Sequence, residues 1–333
     1  MTTPEHHETA PRQPVVSADN LRKTFGGTVA VDGLSLSVKA GSILGLLGPN
    51  GAGKTTTIKL LTTLLPIEGG SARVAGFDVA SQPGMVRRAI GLAGQSAAVD
   101  EKLTPRQNLD LFGRLYHLSV RRRSKRVDEL IERFEMSEYA DRPAETLSGG
   151  EQRRLDVVAA LIADPPAIFL DEPTTGLDPR GRAALWDQIR AIRDGGAAVL
   201  LTTQYLEEAD RLADDIVVID RGSTVAEGTA AELKSRLERD VLEVTVSEAA
   251  QRDAAMSAMG ADGVSAVDER TLHLAVSTAD DSLAALRRVG EAGIGLADFQ
   301  LRRPTLDDVF IEITGSPTQP DASSNAAAPG AQS

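Results

Sequence analysis

GPNGAGKT, residues 48 to 55, is the stretch of this chain that decides its fold, because it fits the pattern GxxxxGK followed by Ser or Thr. It follows a short apolar run, Ser42 to Leu47, and precedes a helical pattern, Thr56 to Leu64. A strand, a glycine-rich loop and a helix in this order form a phosphate-binding loop, in which backbone N–H groups and the helix N-terminus face phosphate oxygens. The sequence therefore predicts a nucleotide site, whose binding residues are Gly48, Pro49, Asn50, Gly51, Ala52, Gly53, Lys54, Thr55 and Thr56.

Two side chains of this loop have predicted chemical roles. Lys54 would reach the β- and γ-phosphates, and the Thr55 hydroxyl would be a ligand of Mg²⁺. The alternative interpretation is a glycine-rich turn that arose by chance. The strand before the loop and the helix after it favour phosphate binding.

A pair of carboxylates follows the apolar run Ile168 to Leu170. They are Asp171 and Glu172, and α/β sheets bind ligands at the carboxyl ends of their strands. Asp171 is suited to hold Mg²⁺ through water, and Glu172 is suited to polarise the attacking water as a general base. Two carboxylates that only cap a turn are the structural alternative.

Apolar strand-like runs alternate with helical patterns through the first two thirds of the chain, which is typical of a buried parallel sheet in an α/β fold. The runs after the phosphate loop are Ala167 to Leu170, Ala197 to Leu201 and Ile216 to Ile219. From Glu101 to Ala144 the pattern becomes charged and helical, which indicates a helical subdomain inserted in the α/β core. A basic run from Arg121 to Arg126 lies within it, and we expect a solvated turn and helix start there.

The region beyond Glu232 has the order strand, helix, strand, strand, helix, strand, typical of a small ferredoxin-like α+β domain. We therefore divide the chain into an ATPase domain at residues 14–238 and a C-terminal domain at 239–315. The ends, residues 1–13 and 316–333, are rich in small and polar residues and are expected to be disordered. The C-terminal domain is either a stabilising appendage or a regulator that faces a dimer partner.

Composition excludes several classes of protein. The formal net charge of −12 argues against a broadly basic surface for nucleic acid, although a local basic patch is compatible with it. The chain has no cysteine and only four scattered histidines, which exclude thiolate metal sites and disfavour a histidine-built one. No run approaches the about 20 apolar residues of a membrane-spanning helix, so we expect a soluble chain that serves a membrane only by docking on another polypeptide.

LSGGEQ, residues 147 to 152, places a serine and two glycines ahead of a helical run, a second arrangement suited to hold an anion. It resembles the signature sequence of ABC transporter ATPases, and with the two motifs above the resemblance covers about Val15 to Lys234. The resemblance implies that ATP and Mg²⁺ are the cofactors and that two copies form a head-to-tail dimer. Ser148, Gly149 and Gly150 of one copy would then close over the γ-phosphate held by Lys54 of the other.

Three further positions match that family. Phe25 stands where the family stacks an aromatic side chain on adenine, although packing in the core or a loop is equally open from the residue alone. Gln95 resembles the glutamine that contacts Mg²⁺ and the attacking water and links the site to the membrane partner. Asp178 resembles the aspartate of the loop that crosses the dimer interface in that family, and Asp before Pro179 is also an ordinary helix N-cap.

Gln204 departs from the family, most members of which have a histidine there. Its amide can still donate a hydrogen bond to the γ-phosphate, but it cannot carry a proton. We expect hydrolysis to persist with Glu172 as the base, since the other catalytic positions match.

The segments from Thr202 to Asp210, Gly94 to Glu101 and Pro304 to Phe310 resemble the daunorubicin-resistance branch of drug-export ATPases, although Glu151-Gln152 stands where that branch often has Met-Arg. The resemblance implies an ATP-hydrolysing motor that drives a separate membrane permease to export a drug or antibiotic, and that is held by the permease at the cytoplasmic face of the cell membrane. The helical subdomain would grip the permease. Export of lipid or polysaccharide, or a weakly hydrolysing regulatory module, are the alternatives. Soluble ABC proteins of DNA repair or translation would show a long coiled coil or a second ATPase unit, and this sequence has neither.

Overall fold

The computed structural model describes residues 13–94, 98–237, 239–260 and 263–314. The ends predicted to be disordered lie outside the described residues, apart from residue 13. The chain divides into two compact units, with the boundary between Thr229 and Ala230. The boundary predicted from the sequence, between residues 238 and 239, lies further along the chain. In the part of the chain that is described, no helix is long and apolar enough to cross a lipid bilayer.

A six-stranded sheet forms the centre of the first unit, in the order β10-β9-β3-β8-β7-β6. All neighbours are parallel except the edge pair β9 and β10. The residues of β3 and β7 are buried throughout, as expected of a parallel sheet covered on both faces. The strands are β3 Ile43–Leu47, β6 Ile90–Ala93, β7 Ala167–Asp171, β8 Ala198–Thr203, β9 Asp215–Asp220 and β10 Ser223–Gly228.

A second, antiparallel sheet has the order β2-β1-β4-β5 and was not singled out from the sequence. Its apolar side chains share a core with β3 and the first helix, in which Leu21, Leu34 and Ile58 are fully buried. The strands are β1 Val16–Phe25, β2 Thr28–Val38, β4 Gly69–Val74 and β5 Phe77–Asp78, and the helix is α1 Lys54–Leu61. This helix begins before the predicted Thr56, so Lys54 lies at its first position.

The other helices in the first unit are α2 Pro83–Ala89, α3 Pro105–Leu115, α4 Val120–Arg133, α5 Gly149–Ala159, α6 Pro179–Asp194 and α7 Leu206–Leu212. Of these, α5, α6 and α7 pack on the central sheet. The predicted helical subdomain contains α3 and α4, whose Leu109 and Leu130 belong to the same buried cluster as Leu155 of α5. The basic run lies inside α4, and it is less solvated than expected. Arg123 is mostly buried and pairs with Asp110, and Arg126 pairs with Asp164.

The second unit has an antiparallel sheet in the order β12-β13-β11-β14. Two helices, α9 and α10, cover one face, and their core includes Val244, Leu272 and Ala285. This is the predicted βαββαβ arrangement, with one further helix at each end. The elements are α8 Ala230–Ser235, β11 Asp240–Val246, α9 Arg252–Met259, β12 Val264–Ala266, β13 Thr271–Val276, α10 Ala279–Glu291, β14 Leu296–Arg302 and α11 Leu306–Thr314.

Candidate active site

The loop at residues 48–55 joins β3 to α1 and bends too tightly for side chains at two of its glycines. A Cβ atom on Gly48 would lie 2.3 Å from the carbonyl oxygen of Ile219. Gly53 has φ +107°, and a Cβ atom there would lie 2.4 Å from the carbonyl oxygen of Ala30. Only glycine fits at both positions, and the start of α1 presents backbone N–H groups of the kind that bind an anion.

Lys54 lies over this loop, and its side chain is only 5% exposed. Its Nζ donates to the carbonyl oxygens of Gly48 at 2.7 Å and Pro49 at 3.1 Å. It also lies 3.3 Å from Oε1 of Glu172. Burial lowers the pKa of Lys54, while the carboxylates of Glu172 and Asp171 oppose that shift. The amine and the proposed base are therefore in direct contact.

Asp171 ends β7 and is buried at the carboxyl edge of the central sheet. Its Oδ1 accepts from the Thr55 hydroxyl at 3.2 Å and from the Thr202 hydroxyl at 2.6 Å. Within the described residues no group of three or more His, Asp or Glu side chains could hold a metal alone. A hydroxyl and a carboxylate side by side are instead the hard oxygen ligands that Mg²⁺ takes together with nucleotide phosphates and water.

Glu172 follows directly and adopts a left-handed backbone conformation, with φ +47°. This conformation costs a non-glycine residue on the order of 1 kcal/mol. Two hydrogen bonds hold it, since the Glu172 N–H donates to the Thr202 carbonyl at 3.1 Å and to its hydroxyl at 3.0 Å. Thr202 thus contacts the Asp171 carboxylate and the Glu172 backbone, a role that none of the sequence motifs indicated. The run Thr202-Thr203 at the end of an apolar strand was the available signal.

Ser148 is the N-cap of α5, and Asp178 is the N-cap of α6. The Ser148 hydroxyl donates to Glu151 at 2.8 Å, and Glu151 also accepts from the Ser148 N–H at 2.7 Å. Asp178 accepts from the Gly181 N–H at 2.7 Å, which is the ordinary capping role. Both N-caps line one open cleft of about 450 Å³ together with Gly149 and Gly150. No residue of the loop at 48–55 lines this cleft.

Comparison with known proteins identifies the family to which this phosphate loop and these carboxylates belong. The ABC transporter family profile matches residues 31–175, and the profile of the ATP-binding protein DrrA1-3-like C-terminal domain matches residues 228–314. The chain is 50% identical over 302 residues to the daunorubicin resistance ATP-binding protein DrrA3 of Streptomyces coeruleorubidus, covering 90% of this chain and 96% of that protein. It is 46% identical over 316 residues to the daunorubicin/doxorubicin resistance ATP-binding protein DrrA of Streptomyces peucetius, covering 94% and 96%.

This chain belongs to the ABC transporter family, in its daunorubicin-resistance branch. The fold agrees. A solved ATP-binding subunit of an ABC transporter superposes with a TM-score of 0.60 at 27% identity, covering 67% of this chain and 92% of that one. The protein is thus an ABC ATPase subunit, and the resemblance expected from the three sequence motifs is confirmed.

The resemblance to the ABC family singles out three further positions, Phe25, Gln204 and Gln95. Phe25 ends β1 and is 47% exposed, so it is not a core residue, and the Lys23 amine lies 5.4 Å from its ring centre. Gln204 lies between β8 and α7, directly after Thr203 at the same sheet edge as Asp171. Gln95 lies outside the described residues, although its neighbour Gly94 and the nearby Ala98 are described.

Proposed function

We propose that this ABC subunit hydrolyses ATP to drive export of an amphipathic drug or antibiotic through a separate membrane permease. The cargo class is supported by similarity along nearly the whole chain to relatives named for daunorubicin resistance. ATP-dependent accumulation of an anthracycline in inside-out vesicles that contain this subunit and its permease tests the cargo. Accumulation of lipid or polysaccharide instead of the anthracycline would favour the other export class.

The arrangement of Lys54, Asp171 and Glu172 carries the proposal for hydrolysis. The loop at residues 48–56 would hold the ATP phosphates, and Thr55, Asp171 and Gln95 would hold Mg²⁺, which neutralises phosphate charge and orients the γ-phosphate. A phosphate oxygen that accepts from Lys54 takes the amine away from Glu172. The carboxylate is then available to take a proton from the attacking water. Gln204 would donate its amide hydrogen to the γ-phosphate.

A second copy of the chain would complete the site. Ser148, Gly149, Gly150 and Asp178 line a cleft that contains no residue of their own phosphate loop, which supports contact with a nucleotide held by another copy. A helix N-terminus with an exposed serine and glycines is suited to an anion. Head-to-tail pairing would place this cleft over the γ-phosphate of the ATP that the partner subunit binds. Phe25 would stack on the adenine of the ATP bound by its own subunit.

The permease would dock on the helical subdomain, about residues 101–144. Three apolar side chains are exposed there, Leu111, Leu115 and Val120. A cleft of about 480 Å³ beside α3 and α4 is lined by Leu103, Leu111 and Val127 together with charged residues. Exposed apolar side chains beside a cleft are typical of a protein contact surface. The subunit would thereby be held at the cytoplasmic face of the cell membrane.

Substitution of Glu172 and of Gln204 tests the catalytic roles proposed for them. We expect Glu172→Gln to lower steady-state ATP turnover by at least about 100-fold, the scale of general base catalysis, with ATP binding retained. We expect Gln204→Ala to lower turnover less. Turnover unchanged by Glu172→Gln, together with turnover abolished by Gln204→Ala without loss of ATP binding, would falsify the assignment.

A weakly hydrolysing regulatory module is the second candidate, and Gln204 is the observation that favours it. A glutamine cannot carry the proton that the family histidine can. Steady-state ATPase measurements with the purified permease separate the two candidates. A motor is stimulated by the permease and its cargo, whereas a regulatory module stays slow in their presence.

The role of the C-terminal unit is a separate proposal, that it faces a dimer partner and regulates assembly. The segment from Pro304 to Phe310 supports an ordered role, because Asp308 accepts from Arg302 at 2.6 Å and from the Thr305 hydroxyl at 2.8 Å. These contacts hold the pKa of Asp308 well below its usual range, together with a hydrogen bond from His273. The start of α11 is thus fixed to the sheet of its own unit.

A further inference from the structure

Arg153, on α5, has a partner for every N–H donor of its guanidinium group. Nε donates to the carbonyl oxygen of Pro173 at 2.7 Å. Nη2 donates to the carbonyl oxygens of Asp171 at 3.2 Å and Glu172 at 3.3 Å. Nη1 donates to the carbonyl oxygen of Gly94 at 2.6 Å and to Asp156 at 3.0 Å. An arginine has five such donors, and here all of them are used.

Asp156 lies one turn further along α5, and its side chain is 1% exposed. Its Oδ2 accepts from Arg153, and its Oδ1 accepts from the backbone N–H of Ala98 at 2.9 Å. Arg153 and Asp156 together therefore hold Gly94 and Ala98, the described residues on either side of Gln95. Arg153 also binds the backbone of the strand end that presents Asp171 and Glu172.

Physical considerations indicate that the Arg153–Asp156 ion pair fixes the positions of its neighbours more than it stabilises the fold. Burial lowers the pKa of Arg153 and raises the pKa of Asp156, and the charge of each partner opposes the other's shift. Buried ion pairs add little net stability, because desolvation offsets their attraction. The planar guanidinium group does fix the directions of five acceptors at once, which a lysine ammonium with three donors cannot do.

We propose that Arg153 and Asp156 are positioning residues that fix helix α5 to the Asp171-Glu172 strand end and to both flanks of Gln95. Since Ser148 is the N-cap of α5, a movement of Ser148 against a nucleotide shifts the backbone of Asp171 and Glu172 and the flanking residues Gly94 and Ala98. The inference rests on the proposed roles of Glu172, Gln95 and Ser148. Arg153 and Asp156, which lie outside the family motifs, would thus couple the positions of Glu172, Gln95 and Ser148.

The test is the variant Arg153→Lys, which keeps the charge beside Asp156 but cannot reach five acceptors. A misplaced general base lowers the rate of the chemical step, so we expect kcat of the full-length subunit to fall about 10- to 100-fold. The KM for ATP and the affinity for a fluorescent ATP analogue should change less than about threefold, because Lys54 and its loop are untouched. A second variant, Arg153→Gln, keeps an amide donor without charge and should give the same separation of kcat from KM.

Arg126→Lys is the matched control. Arg126 is also a mostly buried arginine, and it binds a backbone carbonyl, that of Leu161 at 3.0 Å, and a carboxylate, that of Asp164 at 3.0 Å. Its partners lie away from Asp171 and Glu172, so we expect a similar loss of thermal stability with kcat changed less than about twofold. All kinetics are measured at a temperature at which circular dichroism shows every variant folded.

Three outcomes overturn the proposal: a kcat within twofold of wild type for both Arg153 variants, a fall in kcat matched by an equal loss of ATP affinity, or an equal fall in kcat for Arg126→Lys. Glu172→Gln is measured in parallel. If Glu172→Gln keeps wild-type turnover, the proposed function of Glu172 fails. If Glu172→Gln loses turnover while Arg153→Lys keeps it, only the positioning role fails.

Discussion

At the scale of single residues, the positions of Asp171 and Glu172 at the edge of the central sheet depend on one hydroxyl that the sequence motifs do not identify. Thr202 donates to Asp171 and accepts from the Glu172 N–H. The motifs name both carboxylates because their spacing after an apolar strand is recognisable. Thr202 becomes their neighbour only through the parallel register of β7 and β8, in which it lies opposite Asp171. A pairing between strands that are distant in sequence cannot be derived from local pattern.

Thr202→Val tests this hydroxyl, since valine keeps the shape of threonine. Asp171 and the Glu172 N–H each lose a buried partner, so we expect the free energy of unfolding to fall by about 1–3 kcal/mol. The Mg²⁺ concentration for half-maximal ATPase activity should rise, because Asp171 loses the shorter of the two hydroxyl contacts that hold its carboxylate. Urea unfolding and a Mg²⁺ titration of the ATPase rate measure the two effects.

Thr62→Val is the control for that variant. The Thr62 hydroxyl is also buried, and it donates to the carbonyl oxygen of Ile58 at 2.7 Å at the far end of α1. Its loss should lower stability without changing the Mg²⁺ requirement. An unchanged Mg²⁺ requirement in Thr202→Val would show that Asp171 keeps its position without this hydroxyl.

At the scale of elements, the parallel sheet and the inserted helices follow from the sequence, whereas the antiparallel sheet does not. The buried strands of the parallel sheet are short apolar runs between turn residues. Such runs can be recognised from the local sequence alone. Strand β1 instead loses its alternation at a register shift between Ala18 and Leu21, where Asn20 has φ +52°. A bulge moves the following side chains to the opposite face, so a strict period of two is not seen.

Helix α7, which follows Gln204, contains a buried acid that gives the protein a testable pH dependence. Glu208 is fully buried, and its Oε1 accepts from the Trp186 indole N–H of α6 at 3.1 Å. Burial raises the pKa of Glu208, and the hydrogen bond from Trp186 and the charge of Arg182 oppose the shift. Because the folded pKa lies above the unfolded one, rising pH removes stability between an unfolded value of about 4.3 and the folded value.

Glu208→Gln should therefore stabilise the protein above that window. Glutamine is neutral at every pH and its carbonyl oxygen can still accept from Trp186. We expect the variant to be more stable than wild type at pH 8, because it carries no charge that burial disfavours. The difference should shrink as the pH falls towards 4. Urea unfolding at several pH values, followed by Trp186 fluorescence, measures it.

The adjacent Glu207→Gln serves as the control. Glu207 is exposed and forms a surface pair with Arg211, so its removal should change stability by less than about 0.5 kcal/mol at any pH. A Glu208→Gln variant that is less stable than wild type at pH 8, or whose advantage grows at low pH, would contradict a raised pKa for Glu208.

At the scale of the whole molecule, the two units have separate hydrophobic cores. The first unit contains two clusters of buried side chains, centred on residues such as Leu155 and Leu46, and the second has its own cluster around Val244. The order of strands and helices in the second unit could be predicted because each element is short and alternates clearly. Its function could not, because a fold of this kind hosts many activities and no catalytic motif lies in it.

Deletion of the residues after Arg239 separates the two roles proposed for the C-terminal unit. The remaining chain keeps both clusters of the first unit and the whole edge around Asp171, so it should fold and bind ATP with near wild-type affinity. If the unit faces a dimer partner, ATP-dependent dimerisation in a Glu172→Gln background and permease-stimulated ATPase activity should both weaken. Light scattering and steady-state kinetics measure these effects, and a chain that ends at Gly315 is the control for removal of the tail alone. Dimerisation and transport that match wild type in the longer deletion would leave the unit as a stabilising appendage.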